Sequence, residues 1–126
     1  MDSILVSVKK MLGITADYVY FDPEIIIHIN SIFSILFQMG VCDDGSKHPF
    51  YITDASDKWN DFSIRANKDL SEIKSYMYLR VRMLFDPPTN STLMNAINEQ
   101  IKEFEWRLYI QTDTYDKAGE FKDEQL

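Results

Sequence analysis

Cysteine is almost missing from this chain, and glycine is scarce. Cys42 is the sole cysteine among 126 residues. It can neither close an intramolecular disulfide nor build a cysteine metal site alone, and its isolation points towards a reducing compartment. Only four glycines are present, and none falls in a phosphate-cradling loop. No apolar run is long and clean enough to span a bilayer. The best stretch, Pro23 to Met39, is interrupted by Glu24, His28, Asn30 and Gln38 and falls short of the ~20 residues required. No basic segment precedes an apolar one at the start, so no secretory signal is expected. Basic charge is also in deficit. A formal net charge of −7 argues against binding nucleic acid through phosphate neutralisation.

Chemistry-bearing clusters are equally sparse. His28 lies in an apolar segment without a serine or cysteine nucleophile at a recognisable spacing, so a core or interface role is expected over a catalytic one. His48 sits in a turn-rich stretch beside Pro49. The two histidines and Cys42 lack zinc-ligand spacing. Asp43-Asp44-Gly45 is faintly like a calcium loop, but the twelve-residue ligand pattern is absent and a solvated turn is expected. Glu103 and Glu105 point in different directions on a helix, so a cooperating carboxylate pair is not expected. The expectation is a non-enzyme with no metal and no cofactor.

What the chain has is helical periodicity. Hydrophobic residues make up 45%, enough for one globular domain. Residues Asp2 to Leu12 place Ile4, Leu5, Val8, Met11 and Leu12 at helical spacing, and Gly13 ends the pattern. A connector, Ile14 to Phe21, carries Tyr18, Tyr20 and Phe21. A second helix begins with Asp22 as N-cap, Pro23 at the first position and Glu24 at the positive end of the dipole, and stops at Gly40. It is apolar almost all round, from Ile25 to Met39. A domain this small cannot easily cover such a helix, so subunit association is expected. Val41 to Lys68 reads as a long irregular loop, with a short strand possible at Phe50-Tyr51-Ile52 and one helical turn near Asp57 to Phe62. Excursions of this kind are usually functional or mobile.

Asp69-Leu70-Ser71-Glu72 announces a third helix with a capping-box-like start. Its stripe is Leu70, Ile73, Met77, Val81 and Leu84. A second side carries Tyr76, Tyr78, Leu79 and Met83 beside Lys74, Arg80 and Arg82. Pro87 and Pro88 stop the helix by Phe85 or Asp86. Asn90 or Ser91 caps a fourth helix with the stripe Leu93, Ile97, Ile101, Phe104 and Leu108, and with Glu103 and Arg107 paired on its outer side. The short link makes these two helices antiparallel neighbours. Trp106 falls off the stripe, and either packs on the third helix or anchors a protein interface. Beyond Ile110 the pattern dissolves. Gln111 to Leu126 carries Asp113, Asp116, Glu120, Asp123 and Glu124 against Lys117 and Lys122, an acidic tail expected to be mobile in a lone subunit. The fold expected is all-α: a bundle of about four helices over residues 1–110, followed by the tail 111–126.

Certain runs carry a family resemblance. YLRVRMLFDPP (Tyr78–Pro88), the following helix ending IKEFEWRL (Ile101–Leu108), FDPEIIIHINSIFSILFQMGV (Phe21–Val41) and WNDF (Trp59–Phe62) together resemble the head–tail connector, or adaptor, proteins of tailed bacteriophages. The Phe21–Val41 run is similar to the members from Gram-positive siphophages. The likeness spans most of residues 1 to 108. It implies a structural virion protein that forms a ring with itself, usually twelve-fold, beneath the portal protein. The ring would meet a stopper or other tail component on its far side and continue the channel through which DNA passes without specific binding. It implies a virion location at the head–tail joint, assembly in the host cytoplasm, no membrane contact, and a portal-docking C-terminal segment. Tyr76, Tyr78, Arg80, Arg82, Phe85 and Trp106 are the candidate subunit interface. Tyr115, Phe121 and Leu126 are the candidate portal-docking residues. The rival expectation is a small helical phage or prophage regulatory protein that binds a host protein.

Overall fold

Two helices of this chain end in the same way, at glycines with positive φ. A computed structural model describes residues 3–41, 45, 47–66 and 69–116, with side chains up to Tyr109. Among these residues the chain forms five helices: α1 (Ile4–Met11), α2 (Asp22–Gln38), α3 (Trp59–Ser63), α4 (Leu70–Phe85) and α5 (Ser91–Asp116). After α1, Gly13 (φ 85°) lets its own N–H reach the Lys10 carbonyl at 3.1 Å and the Ile14 N–H reach that of Lys9 at 2.8 Å. After α2, Gly40 (φ 84°) allows the matching pair, Gly40 to Phe37 at 3.0 Å and Val41 to Leu36 at 3.1 Å. Both are Schellman closures that only glycine makes without strain. They redirect the chain and return Ile14 and Val41 to the core.

The helix starts follow local chemistry with two exceptions. Ser3 caps α1 by accepting from Val6 N–H at 3.2 Å, Asp69 caps α4 through Ser71 N–H at 3.0 Å, and Asn90 accepts from Leu93 N–H at 3.0 Å. Asp22, however, lies inside the first turn of α2 rather than capping it. Its carboxylate is drawn to Lys9, whose Nζ stands 2.7 Å away and is only 1% exposed. The Ala16 carbonyl accepts from the same ammonium at 3.1 Å. Burying an ammonium without partners is costly, so Asp22 is held for that task. Glu72 likewise does not reach back to its cap, because Arg107 on α5 binds it.

The core lies where α2 and α4 face each other, flanked by α1 and α5. Ile25, Ile29, Ile32, Phe33 and Leu36 of α2 are buried against Ile73, Met77 and Val81 of α4. Ile27 stays exposed, so α2 is not apolar-buried all round. The expected loop between α2 and α4 is instead part of this core. Ile52, Trp59 and Phe62 are buried, and the Phe33, Phe50, Trp59 and Phe62 rings meet one another tilted or edge-on at 4.8–6.3 Å. No strand forms at residues 50–52. Asn30 on α2 takes that place: its amide oxygen accepts from Ile52 N–H at 2.8 Å and its NH₂ donates to Ile52 C=O at 3.0 Å. Trp59 Nε1 donates to Ser7 Oγ at 2.8 Å, fixing α3 on α1. Cys42, Asp43 and Asp44 lie outside the described residues.

Helices α4 and α5 are antiparallel, as the Pro87-Pro88 turn requires, and two polar clamps fix their register. Tyr76 donates its hydroxyl to Glu105 Oε2 at 2.8 Å, and Arg80 Nη1 reaches the same oxygen at 3.1 Å. One clamp further on, Arg107 binds Glu72 at 2.9 Å and Glu103 at 3.2 Å. Burial, reinforced by the bond to Glu105, pushes the Tyr76 phenol well above its ordinary value, with Arg80 opposing. Leu84, expected in the core stripe, is 49% exposed at the end of α4. Helix α5 crosses the boundary expected at residue 110 and runs to Asp116. Tyr115 lies on that last turn, while Phe121 and Leu126 lie outside the described residues.

Two outcomes follow from these contacts. Asn30→Leu leaves both backbone groups of Ile52 without their amide partner, and chemical denaturation should show a loss of roughly 1–3 kcal/mol. Tyr76 has its pKa raised on folding, so its contribution is complete below the unfolded tyrosine value and fades as pH climbs past it. The stability gap between the wild type and Tyr76→Phe should therefore narrow from about pH 9 to about pH 11 in thermal melts. A constant gap would show that Tyr76 contributes by shape alone.

Candidate interaction surface

The sequence Tyr76-x-Tyr78-x-Arg80-x-Arg82 reads as one aromatic and basic face, but a helix does not allow that. Residues two apart lie about 200° round the axis, whereas residues four apart lie nearly in line. The pattern is two interleaved Tyr/Arg pairs. Tyr76 and Arg80 face α5, and Tyr76 has no exposed surface. Both are engaged inside the subunit through Glu105, and the Arg80 guanidinium also lies 5.9 Å above the Tyr76 ring. Tyr76 is thus wholly buried against α5 within its own chain. A charge reversal at Arg80 would disturb the bundle by setting a second carboxylate beside Glu105.

Tyr78 and Arg82 turn the other way. They are half-buried and line an open groove between α1 and α4, shared with Met11 and, towards the helix end, Asp86. Phe85 is half-buried too, with its ring edge-on to Phe21 at 5.2 Å. Phe21 in turn meets Tyr20 at 5.0 Å and Tyr18 at 5.9 Å. Tyr18, Val19 and Tyr20 are exposed, so an aromatic ledge surrounds this end of the bundle.

Trp106 does not pack on α4. It stands 64% exposed on the outer side of α5. One turn on, Tyr109 is exposed beside it, a residue that the sequence reading passed over. The signal was available: both fall off the Ile97–Ile101–Leu108 stripe, three residues apart, so they share a face. The two exposed aromatics form a small apolar surface on that helix face.

Other candidates resolve more quietly. His28 is half-buried on α2, with Nε2 3.4 Å from Glu24 one turn earlier. His48 is exposed, and its carbonyl accepts from Arg65 at 2.7 Å. Among the described residues no group of three or more His, Cys, Asp or Glu could hold a metal ion, and no helix is long and apolar enough to cross a membrane. The arrangement offers surfaces for contact rather than a pocket of reacting groups.

Comparison with known proteins agrees with that character. No curated protein and no solved structure matched the chain. A family model described as phage connector protein matches residues 4–115, which takes in all five helices but the last residue of α5. The chain therefore belongs to the phage head–tail connector family, a structural component of the virion.

Proposed function

We propose that this chain is the repeating subunit of a ring set beneath the portal at the head–tail joint. The ring continues the DNA channel from head to tail and is twelve-fold, and the likeness of Phe21–Val41 favours a Gram-positive siphophage origin. The connector-family match across residues 4–115 carries the reading. Two features of the subunit support it. Its two flanks bear uncovered aromatic surface: Trp106 and Tyr109 on α5, and the Tyr78, Arg82 and Phe85 side with its aromatic ledge. Its net charge of −7 suits a conduit that must not hold DNA phosphates. The C-terminal segment bearing Tyr115, Phe121 and Leu126 is the proposed contact with the portal, and a stopper or other tail component closes the far side. Subunits fold in the host cytoplasm and join the particle during assembly.

Mixing the purified chain with its portal and measuring mass by light scattering tests the reading. A portal-bound oligomer is expected, together with the chain in mass spectra of assembled virions. A chain missing from virions and inert towards the portal would sink the proposal and favour the regulatory protein that binds a host partner.

A further inference from the structure

Helices α1 and α4 diverge along one side and leave a groove between them. One part, about 290 Å³, is lined by Val8, Met11, Trp59, Lys74 and Tyr78. Past Met11 and Tyr78 it continues to Arg82 and Asp86. The walls are mainly apolar in the first part, bordered by Lys10 and Lys74, and mainly polar in the second, where Arg82 stands. None of these three cations makes an ion pair among the described residues; Lys74 lies 5.5 Å above the Trp59 ring. In a chain with net charge −7, three unpaired cations against the single Asp86 make this a locally positive slot, apolar in its first part.

The opposite flank has the complementary character. Along α5, Glu99, Lys102, Glu103, Trp106 and Tyr109 recur at helical spacing, all exposed. With Arg107 shared between Glu103 and Glu72, three acids stand against two bases, so this side is slightly negative around its two aromatics. Of its pairs, Lys102–Glu99 at 3.8 Å is solvent-exposed and weakly held, free to be redirected, while Glu103 also belongs to the Arg107 clamp at 3.2 Å. The two surfaces lie on opposite sides of α4. Tyr76 and Arg80 hold α5, while Tyr78, about 200° away, floors the groove.

We propose that the outer face of α5 on one copy docks in the α1–α4 groove of the next, with Trp106 entering beside Met11, Trp59 and Tyr78. This rests on the ring reading and names its interface. The contact is heterologous: each subunit gives one flank and receives on the other, which is how copies form a closed ring rather than a two-fold dimer. Trp is a favoured anchor in such pockets, and the flanking charges set the approach.

Two exposed substitutions separate the two sides. Trp106→Glu removes the knob and keeps the groove; Met11→Glu blocks the groove and keeps the knob. Both sites are more than half exposed, and circular dichroism checks that each variant stays folded. Arg82→Glu serves as a second groove variant. Each alone should self-associate about tenfold or more weaker than the wild type in sedimentation. Mixed together, Trp106→Glu and Met11→Glu should form a one-to-one dimer, since one intact interface remains. With ¹⁵N-labelled Trp106→Glu, unlabelled Met11→Glu should shift amides of residues 7–13 and 74–82 saturably, and less so as salt rises. No shift at about millimolar concentration, where weak contacts at the low end of measurable affinity appear, overturns the docking. So does a shift of the same amides by a 111–126 peptide alone, which would give the groove to the C-terminal segment. If the wild type still binds its portal in either case, the connector reading stands and only this interface falls. If the wild type neither binds portal nor enters virions, the reading itself falls.

Discussion

Everything in this subunit depends on α4 being committed on three sides. Its Ile73, Met77 and Val81 face α2, its Tyr76 and Arg80 face α5, and its Tyr78 and Arg82 border the groove beside α1. A helix with three distinct directions of contact cannot rotate about its axis to optimise one without losing the others. The apolar side supplies most of the driving force, because burial there is complete. The polar side supplies register. Glu105 accepts from both Tyr76 and Arg80, and Arg107 joins Glu72 to Glu103. A slide of α5 by one turn would leave the buried Tyr76 hydroxyl without its acceptor, which costs more than the bond is worth when made.

The segment between α2 and α4 shows how a small domain enlarges its core. With four helices of this size, apolar surface on α2 would outnumber its neighbours. Phe50, Ile52, Trp59 and Phe62 return to cover Phe33. Irregular backbone brought to a core needs partners for its own N–H and C=O groups. Asn30 provides both for Ile52 from one amide, standing in for a strand that the segment does not form. The Ile4 N–H, an orphan donor at the start of α1, is met by the Asp57 carbonyl of the same segment at 3.0 Å. What looked like an excursion is therefore a lid sewn to two helices.

Features that depend on neighbours in sequence were legible. The caps at Asp69 and Asn90, the glycine closures after α1 and α2, the Pro-Pro stop and the Glu103–Arg107 pair all rest on residues within four or five positions of one another. The stripes of α4 and α5 were legible for the same reason, except at their ends, where Leu84 and Leu93 emerge beyond the packed length of the bundle. Features decided at long range were not. Asp22 and Glu72 look like ordinary first-turn acids, and only the arrival of Lys9 and Arg107 reassigns them. Lys9 itself gives no sign that it will be buried. For the candidate surface, composition alone merged Tyr76, Tyr78, Arg80 and Arg82, although their spacing already divided them. Trp106 was singled out correctly as off the stripe, yet whether its ring turned inward depended on the shape of α4.

Length adds a last constraint. Helix α5 has 26 residues and α4 has 16, so α5 is longer by ~15 Å at 1.5 Å per residue. The Pro-Pro turn holds their near ends together, and the excess must therefore project beyond the start of α4. A projecting helix end offers backbone beyond the packed length of the pair. On the proposed reading that backbone is available to a template during assembly. Net charge of −7 per subunit opposes premature gathering in solution, where repulsion is felt out to a Debye length of about 8 Å at physiological salt. Close contact between apolar flanks has to outweigh that repulsion, and another surface that gathers the subunits side by side would help it do so. A rigid bundle with uncovered aromatics on two flanks, an acidic surface and one overhanging helix is suited to that order of events: fold first, then join.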